Sequence, residues 1–387
     1  MAIDLNYTPQ QRAFREEVRS WMQANVPKEP LLSLDTPEGA RQHREWERVL
    51  NQGRWGMVTW PKEYGGRGCN LVEWLIFEEE YYRAGAPLRV NQNGIFLLGP
   101  TLMEFGTPEQ KAKYLPRMAA CEDVWAQAWS EPQAGSDLAA LRATAIRDGD
   151  EYVLKGHKIW SSRAVIGDWA FGMFRTDPTA ERHKGISFIL FPLRHPGVRV
   201  RGIPQIDGEM GFAEIYLEDA RVPVANRLGA EGQGWHIAMA TAGFERGLML
   251  RSPARFQVAA RKLVELYRER ADEADPALAA VVAQTWMDAE AYALNTYKTA
   301  TRLIAGGSIG VEASLNMIFW SELDLTMHRA AMSLLGARAE LRRSSPDAGA
   351  VGNWLDGFLF SLAGPIYAGT NEIQRNIIAE RLLGMPR

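Results

Sequence analysis

Ala128-Trp129-Ser130-Glu131-Pro132-Gln133-Ala134-Gly135-Ser136-Asp137 stands where a helical stretch of sequence gives way to a strand-rich one. Ala134 and Gly135 let a backbone approach a ligand closely. Ser130 and Ser136 offer hydroxyl groups without bulk. A flat or phosphorylated cofactor needs that combination. The same residues also suit a polar turn between domains, and their chemistry alone leaves both readings open.

Upstream of this segment the sequence is helical. Thr8-Pro9-Gln10-Gln11 forms a capping box, with Thr8 to cap, Pro9 at the first helical position and Gln11 to reach back. Phe14, Val18 and Met22 then recur at helical spacing. Thr107-Pro108-Glu109-Gln110 repeats the signal, and the Trp60 to Gly68 link between them is too rich in Gly and Pro for a helix to cross.

Downstream, Asp148-Gly149 between two extended runs predicts a hairpin within Ala143 to Leu154. Short runs at Phe171 to Arg175, Ile186 to Phe191, Val198 to Arg201 and Glu214 to Leu217 extend this into an antiparallel β region. From about Gly234 helical patterns return, broken by a polar stretch from Arg342 to Gly352. They close with a helix from Asn371 to Leu383, stopped by Gly384 and Pro386. The fold class expected is α+β multidomain: helices over 1–124, a central β domain over 125–234, and a C-terminal helical bundle over 235–387.

Composition narrows the function. With 44 Lys+Arg against 47 Asp+Glu, the 387-residue chain has a net charge of −3 and no dense basic face for nucleic acid. No apolar run approaches the ~18 residues of a membrane span, and no secretory signal opens the sequence, so a cytoplasmic location is expected. Cys69 and Cys121 make neither a disulfide framework nor a metal pattern. There is no phosphate loop, no GxSxG elbow and no paired-histidine zinc motif, so no metal is expected.

The Ala128 to Asp137 segment resembles the first signature of the acyl-CoA dehydrogenase family, except that Trp129 replaces an aliphatic residue. Further matches follow in the family's order. They are the Trp60 to Gly68 turn, Lys158-Ile159-Trp160-Ser161-Ser162, Arg221-Val222-Pro223, and Ile366-Tyr367-Ala368-Gly369-Thr370-Asn371-Glu372-Ile373-Gln374-Arg375. The resemblance implies FAD and α,β-dehydrogenation of an acyl-CoA thioester, with electron-transfer flavoprotein as acceptor. It places Trp129, Ser130, Gly135 and Ser136 along the flavin and its phosphates, with Ser136 also on the CoA side. It places Trp160 and Ser162 at the isoalloxazine, and Thr370 and Glu372 on FAD of the adjoining ligand site. Tyr367, Ala368 and Gly369 fall to the substrate. Read without the family, Trp160 suits a core aromatic on a strand.

The family's usual base is the Glu of Tyr-Glu-Gly-Thr, and this chain has Ala368 there. Alanine cannot accept a proton. A subset of the family carries the base as a Glu-Arg pair on the first long C-terminal helix, and Phe244-Glu245-Arg246 resembles that arrangement. Glu245 and Arg246 are also the only charges between Ile237 and Leu250. Desolvation there would raise a carboxyl pKa toward that of a useful base. A helix Glu that reaches solvent or pairs with Arg246 or Arg251 fits the same residues.

By resemblance, Glu245 removes the α-proton and the β-hydride passes to flavin N5. Arg246 touches CoA or holds Glu245, and the Ala368 N–H donates to the thioester oxygen. Subset members handle branched, long or polycyclic acyl groups, so a bulky acyl chain is expected, with Asn91 to Gly99 either lining its pocket or packing as ordinary helix. The family's Gln-x-x-Gly-Gly segment has no match near His328 to Ala339, and its Arg-x-x-Phe-Gly partner is missing around Arg268 to Asp275. Those gaps fit lineages whose tetramers are built from two related chains, a heterotetramer with a related subunit; a homo-oligomer (dimer or tetramer) is the other assembly expected. They keep two alternatives in view: a non-catalytic or half-site subunit of a heteromeric dehydrogenase, and a flavin oxidase or monooxygenase on the same fold.

Overall fold

A computed structural model describes residues 6–246, 251–343, 345–348 and 352–386, with Glu245, Arg246 and Gly352 by backbone alone. Five helices come first: α1 (Pro9–Asn25), α2 (Pro37–Gln52), α3 (Leu71–Arg83), α4 (Gly99–Phe105) and α5 (Pro108–Ala119). Eight strands follow: β1 (Trp125–Ala128), β2 (Thr144–Asp148), β3 (Glu151–Ser162), β4 (Trp169–Arg175), β5 (Ile186–Pro192), β6 (Val198–Ile203), β7 (Phe212–Pro223) and β8 (Arg227–Leu228). The chain returns to helices in α6 (Gly234–Arg246), α7 (Pro253–Glu269), α8 (Ala277–Ile304), α9 (Glu312–Leu335), α10 (Gly352–Ser361) and α11 (Asn371–Ile377). The helix, strand, helix order is the one the sequence predicts.

Local signals act as expected where both partners are close in sequence. Thr8 and Gln11 bond reciprocally, the Thr8 N–H donating to Gln11 Oε1 at 2.9 Å and the Gln11 N–H to Thr8 Oγ1 at 3.2 Å. Thr107 and Gln110 do the same ahead of α5. Gly149 takes the first of two hairpin positions with φ +61°, the position at which a type II′ turn needs glycine. The C-terminal helix gives way to a π-helical turn at Ile378–Leu382 before Gly384, which is left-handed at φ +66°.

The chain divides into two compact units. The first comprises Met1–Ala24, Asn70–Ala86 and Arg246–Arg387. Its core is formed by Phe256, Leu263, Met317, Trp320, Met327 and Ala331. Val18 and Met22 bury the apolar stripe of α1, and Glu80 of α3, 2% exposed, receives Arg15, Arg19 and Arg83.

The second unit comprises Asn25–Cys69 and Pro87–Glu245. Its strands run in the order β6-β7-β3-β2-β4-β5-β8, with β1 beside β4. The sheet is mixed where the sequence pattern predicts an antiparallel region. β1 pairs β4 in parallel, Trp125 opposite Trp169 through Ala128 opposite Gly172. Parallel neighbours are joined by long crossovers and leave no tight-turn signal. The intervening β2–β3 hairpin is such a crossover. Trp125 and Trp169 stack at 5.5 Å, with the Tyr114 ring edge-on to both.

Candidate active site

In the second unit, the Ala128 to Asp137 turn is anchored from behind by a buried ion pair. Lys158 is 0% exposed and Glu131 4%. Lys158 Nζ donates to Glu131 Oε1 at 2.7 Å, to the Met173 carbonyl at 2.8 Å and to the Trp129 carbonyl at 3.3 Å. Glu131 also accepts the Arg142 and Ala143 N–H groups and the Gln133 amide. Burial pulls the Lys158 pKa down against the pull of Glu131. For Glu131 burial pushes up, but Lys158 and the two N–H donors outweigh it and hold the carboxyl below the usual range. A pair this well satisfied carries its desolvation cost only because every lone pair and proton has a partner.

The ion pair sits where strand alternation predicts an apolar residue. Tyr152, Leu154 and Lys158 of β3 share the inward phase and are buried. Trp160, two residues on, would also point inward. It does not: it is 57% exposed, with φ +58°. The register with β7 explains the reversal. Lys158 faces Ile215 and Ser161 faces Ala213, so Ile159 and Trp160 together oppose Glu214 in a β-bulge. One extra residue flips every later side chain to the other face. Ser161 therefore turns inward at 0% exposure. The Ile159 N–H leaves the β7 ladder and donates to the Ser130 carbonyl at 2.9 Å. The core-aromatic reading of Trp160 fails because a bulge depends on partners remote in sequence.

The groups around this bulge form a donor set. Among the described residues, the hydroxyls of Ser130, Ser136 and Ser162 make no hydrogen bond, and Trp129 Nε1 and Ser161 Oγ are buried without a partner. Gly135 and Ser136 are exposed, and a Cβ at Gly135 would meet nothing within 4 Å. The Trp129 ring is turned into the core, edge-on to Phe171 and Phe188, so it offers a ligand its backbone more than its face. The Ser162 carbonyl accepts from Asn93 Nδ2 at 3.4 Å. Asn93 opens a buried π-helical turn, Asn93–Leu98, within the Asn91 to Gly99 stretch. π-Turns recur at functional sites.

In the first unit, the Tyr367 to Thr370 loop is held in an uncommon conformation. Ala368 and Gly369 are both left-handed, at φ +57° and +88°. The Gln374 amide donates to the Gly369 carbonyl at 3.0 Å and to the Ala368 carbonyl at 3.4 Å. Among the described residues, the Ala368 N–H makes no hydrogen bond, so it is available as a donor. Tyr367 stacks on Trp320 at 5.9 Å, and the Arg251 guanidinium lies 5.2 Å from its ring centroid. Thr370 caps α11, its hydroxyl accepting the Ile373 N–H at 3.2 Å. Glu372 is exposed, and its carboxyl is held below the usual range by its own N–H and by the Thr370 hydroxyl. Both residues thus serve the helix start.

Glu245 and Arg246 end α6, and their side chains lie outside the described residues. The row of α6 leading to position 245 runs through Ala238, Thr241 and Ala242, all buried. Thr241 and Thr101 share a hydroxyl contact of 2.9 Å. Sequence reading did not single out Lys158, Glu131 or Gln374 as functional supports. The inward phase of Lys158, opposed by a lone Glu in the preceding turn, was the signal for the first two.

Residues 8–122, 126–220 and 232–383 match the N-terminal, middle and C-terminal domains of acyl-CoA dehydrogenases. The chain belongs to the acyl-CoA dehydrogenase family. It is 39% identical to acyl-CoA dehydrogenase IpdE1 of Mycobacterium tuberculosis, over 97% of each chain. Among solved structures it is similar to the Tcur3481-Tcur3483 steroid ACAD, with TM-score 0.89 and 32% identity over 99% of this chain and 100% of that one. It is likewise similar to a chain of the ChsE4-ChsE5 complex from Mycobacterium tuberculosis, with TM-score 0.83 and 34% identity over 99% and 100%. The enzyme class follows: an acyl-CoA dehydrogenase, an oxidoreductase.

Family membership implies FAD. The unbonded hydroxyls of Ser130, Ser136 and Ser162, the open backbone at Gly135 and the outward Trp160 fit a planar cofactor with a polar edge and phosphates. No helix of the described residues is long and apolar enough to cross a membrane. Among them no group of three or more His, Cys, Asp and Glu could hold a metal ion.

Proposed function

We propose that the chain catalyses FAD-dependent α,β-dehydrogenation of a bulky acyl-CoA thioester, with Glu245 as the base. The observation that carries the proposal is Trp160, turned out of the sheet at 57% exposure beside unbonded hydroxyls. Strained backbone conformations cluster at active sites and ligand clamps. Trp160 and Ser162 would flank the flavin ring. Trp129, Ser130, Gly135 and Ser136 would hold the ring edge and phosphates, and Thr370 and Glu372 are assigned to the FAD of the adjoining ligand site.

Bound FAD would supply the two-electron acceptor for the β-hydrogen. The chain supplies the acid–base work. A carboxylate on the row of Ala238, Thr241 and Ala242 would be desolvated, which raises its affinity for the α-proton. The thioester oxygen gains negative charge as that proton leaves. The Ala368 N–H, fixed by the Gln374 amide on the neighbouring carbonyls, would stabilise it as an oxyanion-hole donor. Ser136, Arg246, Tyr367 and Gly369 are assigned to substrate binding. Electron-transfer flavoprotein is the proposed electron acceptor.

A second reading concerns assembly. The missing Gln-x-x-Gly-Gly segment and the likeness to chains of two-component complexes support a heteromer in which a related subunit completes the FAD site. One experiment addresses both. The chain is purified alone, titrated with FAD, and mixed anaerobically with a panel of acyl-CoA thioesters. Flavin bleaching by a bulky thioester, without peroxide release in air, supports the dehydrogenase. FAD binding only after a related second chain is added supports the heteromer. Failure to bleach in either setting rejects the proposed reaction.

A further inference from the structure

The Trp160 bulge has a mechanical cause within the same unit. Four hydrogen bonds converge on two consecutive residues of β3. Lys158 Nζ is tied to Glu131, to the Trp129 carbonyl and to the Met173 carbonyl. The Ile159 N–H is tied to the Ser130 carbonyl. Trp160 follows at φ +58°. Fixing Lys158 inward and drawing Ile159 toward Ser130 leaves one residue more on β3 than on β7 between the pairs Lys158–Ile215 and Ser161–Ala213. The excess is taken up at Trp160, whose left-handed backbone is costly for a tryptophan. A strained conformation persists only where its surroundings over-determine it. Here the determining contacts are buried and charged.

We propose that Lys158 and Glu131 are positioning residues: their buried ion pair locks the Ser130 turn to β3, sets the bulge, and so holds Trp160 on the outer face of the sheet as a wall for the flavin. The pair itself touches no ligand. The inference rests on the reading that FAD packs against Trp160, and it makes one demand that is independent of FAD. Without the clamp, β3 relaxes toward regular alternation and Trp160 turns inward.

The decisive variants are Lys158→Met, Glu131→Gln and the double K158M/E131Q, each in the full chain. Breaking one partner leaves an uncompensated buried charge or cluster of donors, whereas the double variant leaves no buried charge. Stability should therefore fall in the single variants and recover in the double. Trp160 should not recover, because the Nζ bond to the Trp129 carbonyl is lost in both Lys158 variants. Hydroxyl-radical labelling of the FAD-free chain, read at Trp160 by mass spectrometry, reports this directly. A several-fold loss of labelling is expected in K158M and in the double, with a smaller loss in E131Q. FAD affinity should fall at least tenfold in parallel.

Should K158M fail to fold, the double variant carries the same labelling test. Parent-level labelling of Trp160 in the folded double would overturn the inference and leave the pair a purely structural element. Reduced labelling with unchanged FAD affinity would overturn the placement of flavin against Trp160, while the control of the bulge by the ion pair would stand.

Discussion

Glu47 offers a quantitative test of the second unit's interior. It lies on α2, 2% exposed, and its Oε1 accepts the Asn91 N–H at 2.8 Å. Asn91 in turn donates its side-chain amide to the Met118 and Asp123 carbonyls and accepts the Trp125 N–H. It thus ties α5 and β1 together just ahead of the π-helical turn. Burial pushes the Glu47 pKa from 4.5 up to about 7, against the lowering effects of the Asn91 N–H and Arg89. The buried Cys121 thiol beside it is pushed up as well, by burial and by Glu47.

A raised pKa on an acid means the folded chain keeps a proton that the unfolded chain has released. The native state therefore binds more protons between pH 4.5 and about 7, and stability falls as pH rises through that window. Below it the contribution is absent, and above it the full penalty applies. At about 1.4 kcal/mol per pH unit, the penalty reaches roughly 3 kcal/mol. Glu47→Gln keeps an acceptor for the Asn91 N–H and cannot ionise, so it removes the slope and leaves at most a constant offset. Urea unfolding of parent and variant, followed from pH 5 to pH 8 by tryptophan fluorescence, gives the difference at each pH. The variant should gain on the parent by about 2.5 kcal/mol between pH 5 and pH 8, most of it below pH 7, and level off above that. Parallel stability curves would show that Glu47 titrates like an exposed carboxylate and would refute the reasoning.

Two further predictions follow from single positions. A Cβ at Gly99 would lie 2.1 Å from the buried Trp60 ring, so Gly99→Ala should cost about 1–3 kcal/mol by overpacking, read as a lower urea midpoint at unchanged slope. Trp160→Gly removes an exposed ring and a left-handed tryptophan together. The strain relieved, about 1–2 kcal/mol, should offset the lost edge contact with Phe212. Thermal stability of the FAD-free chain should hold or rise while FAD retention on gel filtration drops; a stability loss with FAD retained would contradict the assigned role.

The parts of this fold legible in the sequence are those whose partners are neighbours along the chain. Thr8 with Gln11, Thr107 with Gln110, and Gly149 in its hairpin each close a bond within a few residues. The parallel pairing of β1 with β4 joins segments about 40 residues apart and leaves no turn signal. Trp160 is the sharpest instance. Its identity fits a strand core, and its position two residues beyond buried Lys158 predicts an inward ring. Only the clamp between β3 and the Ser130 turn reverses it. At the candidate site, the motif residues were found by resemblance, but what supports them was not. Strand phase turns Lys158 inward toward an acid such as Glu131, but the backbone carbonyls and N–H groups that this pair and Gln374 bind are tertiary partners that composition and periodicity do not reveal. Thr370 and Glu372 show the converse, since their local helix-capping chemistry is readable as S/T-x-x at a helix start.

The most direct test of the proposed chemistry is anaerobic flavin bleaching by an acyl-CoA substrate in Glu245→Gln, compared with the parent at equal FAD content. A missing base predicts bleaching slowed about 10²–10⁴-fold with FAD still bound. Bleaching at the parental rate would place proton removal on another residue and contradict the assignment of Glu245.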